Sequence, residues 1–114
     1  MVVDQLADDD RLFHALADAT RRDIVRRVLD GEESISDLAR RYPMSMTAVQ
    51  KHVAVLEAAG LVAKRRQGRE QRVAGQVAAL GRVQRLLDAY ELVWRDRINR
   101  VGDLLAEPSQ GDPR

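Results

Sequence analysis

The side chains best suited to chemistry in this sequence are basic and polar, and they cluster between Pro43 and Val73. This stretch, PMSMTAVQKHVAVLEAAGLVAKRRQGREQRV, holds six Lys or Arg residues against two Glu residues, whereas the whole chain has a net charge of only +1. Concentrated positive charge is the footprint of a polyanion site, because neutralised phosphates supply most of the energy of non-specific binding. A hairpin whose charges only keep it solvated fits the charge pattern equally well.

Residues that could perform catalysis do not form a recognisable set. The chain has no cysteine, which excludes disulfides, thiolate metal sites and thiol redox chemistry. It also has no glycine-rich phosphate loop and no His-Glu-x-x-His pattern, and its two histidines, His14 and His52, belong to separate predicted helices. We therefore expect the protein not to be an enzyme and to need no cofactor.

Length and composition predict one compact, mainly α domain. The chain has 114 residues, of which 45% are hydrophobic and 4% aromatic, so Leu, Val and Ala must fill most of a single core. We assign this domain to residues 1–107. No segment approaches the roughly 18 apolar residues of a membrane span, and the opening MVVDQLADDDRLF is unlike a signal peptide. We expect a cytoplasmic protein with no membrane partner.

Apolar residues at helical spacing predict two helices in the first third of the chain. The first runs from Asp4 to about Leu16. The second lies between an N-cap at Asp18 and a terminating glycine, Gly31. One extended residue, Ile35, is expected before the next helix begins.

Two further helices are separated by a short turn. A short helix follows an N-cap at Ser36 and stops at Pro43, and a longer helix is capped by Ser45 and runs to Ala59 before a glycine. Together, residues 36–59 have the spacing of a helix-turn-helix.

The pattern changes again after this pair of helices. Residues 61–75 predict a two-stranded hairpin with a tight turn at Gly68, which would form a wing. Residues 78–107 predict one long helix with apolar residues at alternating steps of three and four. The proline- and glycine-containing residues 108–114 predict a disordered tail. Helix, turn, helix and basic hairpin, in that order, predict a winged helix-turn-helix fold.

In such a fold the second helix enters the major groove of DNA, and the spacing of residues 45–59 predicts which face is exposed. With Val49 pointing inward at 100° per residue, Val53 and Leu56 lie beside it. Thr47 and Lys51 lie near the opposite side, with Gln50 between the two faces. Amide, hydroxyl and ammonium groups are the ones that read base edges and contact phosphates. Taken alone, such a helix is more commonly an ordinary amphipathic helix with a solvated face, and only the adjoining wing favours DNA binding.

Further DNA contacts are expected at both ends of this region. Ser45 and Met46 occupy the helix start, where free backbone N–H groups attract phosphate oxygens, although Ser45 fits a cap as well as a contact. His52 lies at the border of the two faces, where either a phosphate contact or a place at the core edge is possible. In the wing, Arg69 at the tip is expected in the minor groove, and Arg65, Arg66 and Arg72 are expected to track phosphates of the DNA backbone. The predicted DNA-binding residues of the wing are Lys64, Arg65, Arg66, Arg69 and Arg72.

The apolar stripe of the last predicted helix is expected to pack against another apolar surface. Leaving it exposed on so small a chain would be costly, so we expect a homodimer in which this helix pairs with its symmetry mate and with the first helix. Part of the stripe can instead cover the chain's own core. The expected interface residues are Leu6, Leu80, Leu87, Tyr90, Trp94, Ile98 and Val101.

Three segments carry a family resemblance. HALADATRRDIVRRVL, SISDLARRYPMSMTAVQKHVAVLEAAGLV and RRQGREQRV resemble the ArsR family of bacterial winged-helix transcriptional regulators over roughly residues 12–75. The ending LLDAYELVWRDRINRVGDLL resembles the subgroup with an extended C-terminal helix around a Trp. The resemblance implies a homodimeric repressor, often of its own operon. It places Met46, Gln50, Lys51 and His52 at the groove-reading positions.

The chain departs from the family pattern in two ways. Ala19 and Gln50 stand where proline and serine are common, and the second change implies a different operator sequence. The cysteine pair of the metal-sensing members is absent, and Asp88 and Glu91 have no histidine nearby, so we expect no metal. The sequence thus predicts a dimeric, DNA-binding repressor that reads double-stranded operator DNA. A dimeric protein-interaction module with the same fold is the alternative.

Overall fold

A computed structural model of the chain describes residues 2–110, with side chains from residue 6 to residue 106. Its contacts divide the chain after Val83. We call residues 2–83 the winged body and residues 84–110 the distal helix. The elements, in order, are α1 (Val2–Leu16), α2 (Ala19–Asp30), β1 (Glu33–Ser34), α3 (Ile35–Ala39), α4 (Met46–Ala58), β2 (Val62–Gln67), β3 (Glu70–Gly75) and α5 (Val77–Gln110). This order confirms the mainly α, winged helix-turn-helix prediction.

Most predicted helix ends are confirmed. The Asp18 carboxylate caps α2 by accepting a hydrogen bond from the backbone N–H of Arg21 at 3.0 Å. The Ser45 hydroxyl caps α4 by accepting from the N–H of Ala48 at 3.1 Å. Gly60, just past α4, has a φ of +79°, a conformation that glycine adopts without steric cost.

The start of α3 differs from the prediction. Its N-cap is Ser34 and not Ser36, since the Ser34 hydroxyl accepts from the N–H of Asp37 at 3.0 Å. Ile35, predicted to be extended, is the first residue of the helix and is buried. Ser34 is itself extended and buried, and its hydroxyl satisfies one of the free N–H groups at the start of the helix. Sequence spacing does not distinguish this serine from the one two residues later.

The wing is part of a three-stranded antiparallel sheet in the order β1-β3-β2. The predicted hairpin is confirmed: β2 and β3 pair from Val62 opposite Gly75 to Gln67 opposite Glu70. Gly68 begins the two-residue turn with a φ of +61°, as tight hairpin turns require. The third strand, β1, was not predicted, because two residues are too few to show an alternating pattern.

The winged body encloses the core of buried apolar residues. Each helix contributes one face, and the sheet contributes the inward residues at the base of the wing. The fully buried larger apolar side chains are Leu12, Ile24, Leu38, Val49, Val53, Leu56, Leu61 and Val73. This packing fixes the rotation of α4, so its opposite face is exposed.

The last helix is slightly longer than predicted. Helix α5 runs from Val77 to Gln110, so residues 108–110, predicted to begin a disordered tail, are helical. Pro108 lacks a backbone donor, but the loss of one hydrogen bond in a final turn does not end a helix. Residues 111–114 of the predicted tail lie outside the described residues.

Candidate nucleic-acid interface

Helix α4 has one buried and one exposed face, as its spacing predicts. Val49, Val53 and Leu56 are fully buried. The exposed residues include all but one of those predicted to meet DNA in this helix: Ser45, Met46, Thr47, Gln50 and Lys51. The exception is His52, which is half-buried at the border. The core therefore turns a row of polar, hydrogen-bonding side chains toward solvent.

A cleft of about 210 Å³ lies between the start of α4 and the tip of the wing. Met46 and Gln50 line it on the helix side, and Arg69 lines it on the hairpin side. The fold thus brings together residues that are about twenty positions apart in the sequence. A base edge or a phosphate entering this cleft would meet both the amide and the guanidinium group. The remaining lining residues are Ile35, Ser36, Glu70 and Gln71.

The base of the wing is held by a carboxylate that the sequence analysis did not single out. Glu32 Oε1 accepts hydrogen bonds from Arg65 Nη2 at 2.6 Å and from Arg72 Nε at 2.7 Å. Arg72 also donates to the Glu32 backbone carbonyl at 3.2 Å and to Glu70 at 3.3 Å. The Arg72 guanidinium lowers the pKa of the Glu32 carboxyl, and Glu32 in turn raises the pKa of Arg72. These contacts tie the hairpin to the loop after α2.

The five predicted wing cations therefore fall into two groups. Lys64 lies 3.4 Å from Glu57, and Arg65 and Arg72 are paired with Glu32. Among the side chains from 6 to 106, no ion pair or hydrogen bond engages Arg66 or Arg69, and both are exposed. Arg65, Arg66 and Arg72 were all predicted to contact phosphates. At two of these positions, Arg65 and Arg72, the carboxylate of Glu32 would compete with a phosphate for the guanidinium group. Arg72 in particular is the least exposed, with 24% of its side chain accessible against 58% for Arg65.

His52 is enclosed by residues from the start of α2. Its Nδ1 lies 3.3 Å from Arg21 Nη1 and 3.9 Å from an Asp18 carboxylate oxygen. Its side chain retains 21% of its accessible surface. The border position predicted for His52 is thus confirmed, and its inward neighbour is a charged group. Sequence spacing could not show this contact, because 31 residues separate the two side chains.

A second polar contact holds the turn of the helix-turn-helix. The Tyr42 hydroxyl donates to Asp23 Oδ2 at 2.6 Å, and the Arg27 guanidinium lies 5.9 Å from the centre of the Tyr42 ring. Burial, followed by the hydrogen bond to Asp23, raises the pKa of Tyr42 to about 12. The Tyr42 hydroxyl, followed by Arg26 and Arg27, lowers the pKa of Asp23 well below its ordinary range. This contact fixes the turn that precedes α4 against α2.

The distal helix exposes a row of large apolar side chains. Among the predicted interface residues, Trp94 is 56% accessible, and Leu87, Tyr90, Ile98 and Val101 are also exposed. In the winged body, Leu6 is exposed, whereas Leu80 is half-buried against the core of its own chain. The Arg97 guanidinium lies 5.7 Å from the centre of the Trp94 ring.

The described residues contain neither a metal-binding cluster nor a membrane-spanning helix. Between residues 6 and 106, no three His, Cys, Asp or Glu side chains gather in a way that could hold a metal ion. No helix in the described part of the chain is long and apolar enough to cross a membrane.

Comparison with known proteins identifies the helix-turn-helix. Residues 16–65 match the model of a helix-turn-helix domain family. Over 59 residues the chain is 48% identical to the HTH-type transcriptional regulator Rv2034 of Mycobacterium tuberculosis, a match that covers 52% of this chain and 55% of that protein. The chain therefore spans just over half the length of this relative.

Solved structures extend the similarity to most of the chain. An ArsR-like transcriptional regulator from Rhodococcus sp. RHA1 is 33% identical, with a TM-score of 0.77, over 88% of this chain and 94% of that one. A homodimeric winged helix-turn-helix DNA-binding domain, Mb0332 from Mycobacterium bovis, is 26% identical, with a TM-score of 0.62, over 82% and 84% of the two chains. These relatives are transcriptional regulators and not enzymes. The chain belongs to the ArsR family of winged helix-turn-helix transcriptional regulators.

Proposed function

We propose that the protein is a homodimeric repressor, acting on its own operon, that binds an imperfect palindrome in double-stranded DNA. In this proposal α4 reads base edges in the major groove, and the wing contacts the adjacent backbone or minor groove. The protein would act in the cytoplasm and use no cofactor or metal. The observation that carries the proposal is the cleft in which Gln50 of α4 faces Arg69 of the wing.

The exposed groups of α4 support base recognition. Gln50 can donate to and accept from an adenine at the same time, because its amide holds both functions. Thr47 offers a hydroxyl and a methyl group, and Lys51 can pair with a guanine or a phosphate. Met46 is 45% accessible, so its thioether can pack against a thymine methyl.

The unpaired arginines of the wing support a backbone or minor-groove contact. Arg69 follows Gly68 in the turn, so it projects from the end of the hairpin. Arginine favours a narrow minor groove, where the negative potential is enhanced. Arg66 and Arg69 carry the proposed contact more readily than Arg65 and Arg72, because the latter two already share an ion pair with Glu32.

The apolar row of the distal helix supports a homodimer. The distal helix exposes a tryptophan and several aliphatic residues to water, which is energetically unfavourable. Another surface that covers these side chains would stabilise the protein. A second copy is the partner that is always present, and the Mycobacterium bovis relative is homodimeric. Two-fold symmetry would place two copies of α4 roughly 34 Å apart, so the half-sites should be about one helical turn apart.

The proposal is tested by fluorescence anisotropy on duplex DNA. We expect tighter binding to the DNA upstream of the protein's own gene than to a scrambled duplex. Gln50→Ala should weaken specific binding about tenfold, since a bidentate base contact contributes on the order of 1–3 kcal/mol. Arg69→Ala should reduce the slope of log affinity against log salt by about one per protomer. Gln76→Ala and Arg26→Ala, at exposed residues that do not line the cleft, serve as matched controls.

Other outcomes decide against parts of the proposal. Equal and weak binding to both duplexes would place the operator elsewhere or favour the protein-interaction module, which a pull-down with the purified protein would then examine. Specific binding that raises expression of a reporter downstream of the site would contradict repression. A single half-site that binds as tightly as the palindrome would contradict the dimeric mode.

A further inference from the structure

Arg21, in the first turn of α2, joins three elements of the winged body. Its Nε donates to the Ala15 carbonyl and its Nη2 to the His14 carbonyl, both at 2.8 Å. These are carbonyls of the last turn of α1, and the His14 carbonyl also accepts from the backbone N–H of Ala17 at 3.2 Å. Two charge-assisted hydrogen bonds thus fix the plane of the guanidinium group. The third contact of Arg21 is with His52 in α4, where 3.3 Å separates Arg21 Nη1 from His52 Nδ1.

This third contact determines the tautomer of the His52 ring. A guanidinium group donates and never accepts, so Nδ1 must accept the hydrogen bond and cannot carry a proton. In a neutral imidazole the remaining proton then sits on Nε2. Asp18 does not reverse this assignment, because its carboxylate oxygen is 3.9 Å from Nδ1, beyond hydrogen-bond range. That carboxylate is also engaged in capping α2.

The protonated nitrogen is accessible to solvent. Within the described side chains, Nε2 of His52 makes no hydrogen bond. In the same part of the chain, no buried side-chain nitrogen or oxygen lacks a partner, so Nε2 must reach solvent. His52 is half-buried at the border of the exposed face of α4, one residue after the exposed Lys51. A fixed N–H donor beside a lysine is suited to a phosphate oxygen.

We propose that Arg21 is a positioning residue for DNA binding, which holds His52 in the tautomer that donates Nε2–H to a phosphate of the bound duplex. The inference rests on the proposed function, since it assigns a role within the same DNA-binding face. It adds a residue of α2, outside the two helices α3 and α4, to the determinants of affinity. A lysine at position 21 keeps the charge but lacks the planar fork, so it cannot hold all three acceptors at once.

Nuclear magnetic resonance of the two histidine rings tests the tautomer without DNA. Long-range nitrogen–proton correlation at mildly alkaline pH should show His52 with its proton on Nε2 alone, while the exposed His14 serves as the internal reference. Arg21→Lys should convert His52 to a mixture of both tautomers. Arg22→Lys is the matched control, because Arg22 donates to the Leu16 carbonyl and does not contact His52. A mixture of tautomers in the wild-type protein would overturn the proposal.

Two replacements of His52 test the outward donor. The amide of glutamine overlies the Nε2 position of histidine, whereas that of asparagine overlies Nδ1. His52→Asn should therefore lose about tenfold in operator affinity, the scale of a hydrogen bond to a charged group, while His52→Gln should retain most of it. Equal affinities for both variants and the wild-type protein would overturn the phosphate contact.

A double-mutant cycle then tests whether Arg21 acts through His52. Arg21→Lys should weaken binding several-fold in the wild-type background and have little further effect in the His52→Asn background. Additive losses would mean that Arg21 acts on its own, against the proposal. Thermal unfolding of each variant separates any loss of folded protein from a loss of affinity. If the wild-type protein binds no operator while its ring shows the expected tautomer, the proposed function fails and the Arg21–His52 geometry stands.

Discussion

The winged body and the distal helix differ in how their apolar side chains are buried and their polar side chains are paired. In the winged body each helix contributes large apolar residues to one core, and among the described side chains the buried polar groups have partners. In the distal helix every described residue from Leu87 to Ala106 is exposed, including a tryptophan. The difference indicates that the winged body can be stable by itself, whereas the distal helix depends on a surface supplied from elsewhere.

The polar contacts of the two regions differ in the same sense. The winged body contains long-range pairs such as Tyr42 with Asp23 and Arg72 with Glu32. The described ion pair of the distal helix, Arg95 with Glu91 at 3.5 Å, joins neighbouring turns. Such an exposed local pair contributes only a few tenths of a kcal/mol. Substitutions in the two regions should therefore change different properties of the protein.

The largest effect on stability is expected in the core of the winged body. Leu56→Ala should lower the free energy of unfolding by about 3 kcal/mol, because it leaves a cavity where a fully buried side chain packed. Leu92→Ala, on the exposed distal helix, should change it by less than about 0.5 kcal/mol. Chemical denaturation at low protein concentration measures both. Similar losses for the two variants would contradict the division into regions.

The largest effect on assembly is expected in the distal helix. Trp94→Glu should leave the winged body folded but shift the protein toward a monomer and weaken operator binding at least about tenfold, because two linked half-sites bind more tightly than one. Leu92→Glu is the matched control, since two residues at 100° each place Leu92 on the opposite side of the helix. Sedimentation at several concentrations measures the oligomeric state. An unchanged dimer in the Trp94 variant would move the interface elsewhere.

A smaller and pH-dependent effect is expected at Tyr42. Tyr42→Phe should lower the free energy of unfolding by about 1 kcal/mol near neutral pH. The folded pKa of Asp23 is lowered, so its contribution is present above roughly pH 4 and is lost as the pH falls toward the folded value. The folded pKa of Tyr42 is raised to about 12, so its contribution is lost as the pH rises from roughly 10 toward that value.

Denaturation of the wild-type and Tyr42→Phe proteins across pH measures this effect. The difference between them should be greatest between these two windows and shrink in both. Asp37→Asn, which removes an exposed carboxylate that is paired with Arg40 one helical turn away, is the control. A difference that stays constant from acid to alkaline pH would show that the hydrogen bond is not the source of the stability.

The fold was predictable from sequence because its signals are local. Helix caps such as Asp18 and Ser45, the turn glycine Gly68 and the apolar spacing of α4 act within a few residues. They were sufficient to give the order of the helices and the hairpin and the exposed face of α4, but not the short strand β1. The N-cap of α3 was misplaced by two residues because Ser34 and Ser36 flank the same apolar residue.

The contacts that organise the site were not predictable in the same way. Glu32 lies 33 and 40 residues from the two arginines it pairs with, and Arg21 lies 31 residues from His52. No periodicity links such positions, and each side chain alone fits an ordinary solvated surface. A count of charges therefore overestimated the free charge of the wing, because it could not show which cations have an acid beside them.

The smallest effect is expected at Glu32. It tests how much this carboxylate reduces the positive charge that Arg65 and Arg72 offer to DNA. Glu32→Gln removes the carboxylate between Arg65 and Arg72, which leaves two guanidinium groups able to meet phosphates. Non-specific DNA affinity should rise about two- to fivefold at low salt, and the salt slope should steepen by up to about 0.9 for each additional phosphate contact. Glu91→Gln, which removes the local pair with Arg95, should leave both unchanged.

The direction of the Glu32 result distinguishes two roles for the same ion pairs. If affinity rises, Glu32 competes with DNA for the wing, and the protein limits its binding to sequences that α4 also recognises. If affinity falls, the dominant role of Glu32 is to hold the hairpin in place, since Arg72 also donates to its backbone carbonyl. Glu32→Asp separates these roles further, because the shorter side chain keeps the charge but cannot span both arginines. A rise for glutamine with a fall for aspartate would show that charge limits affinity while geometry supports it.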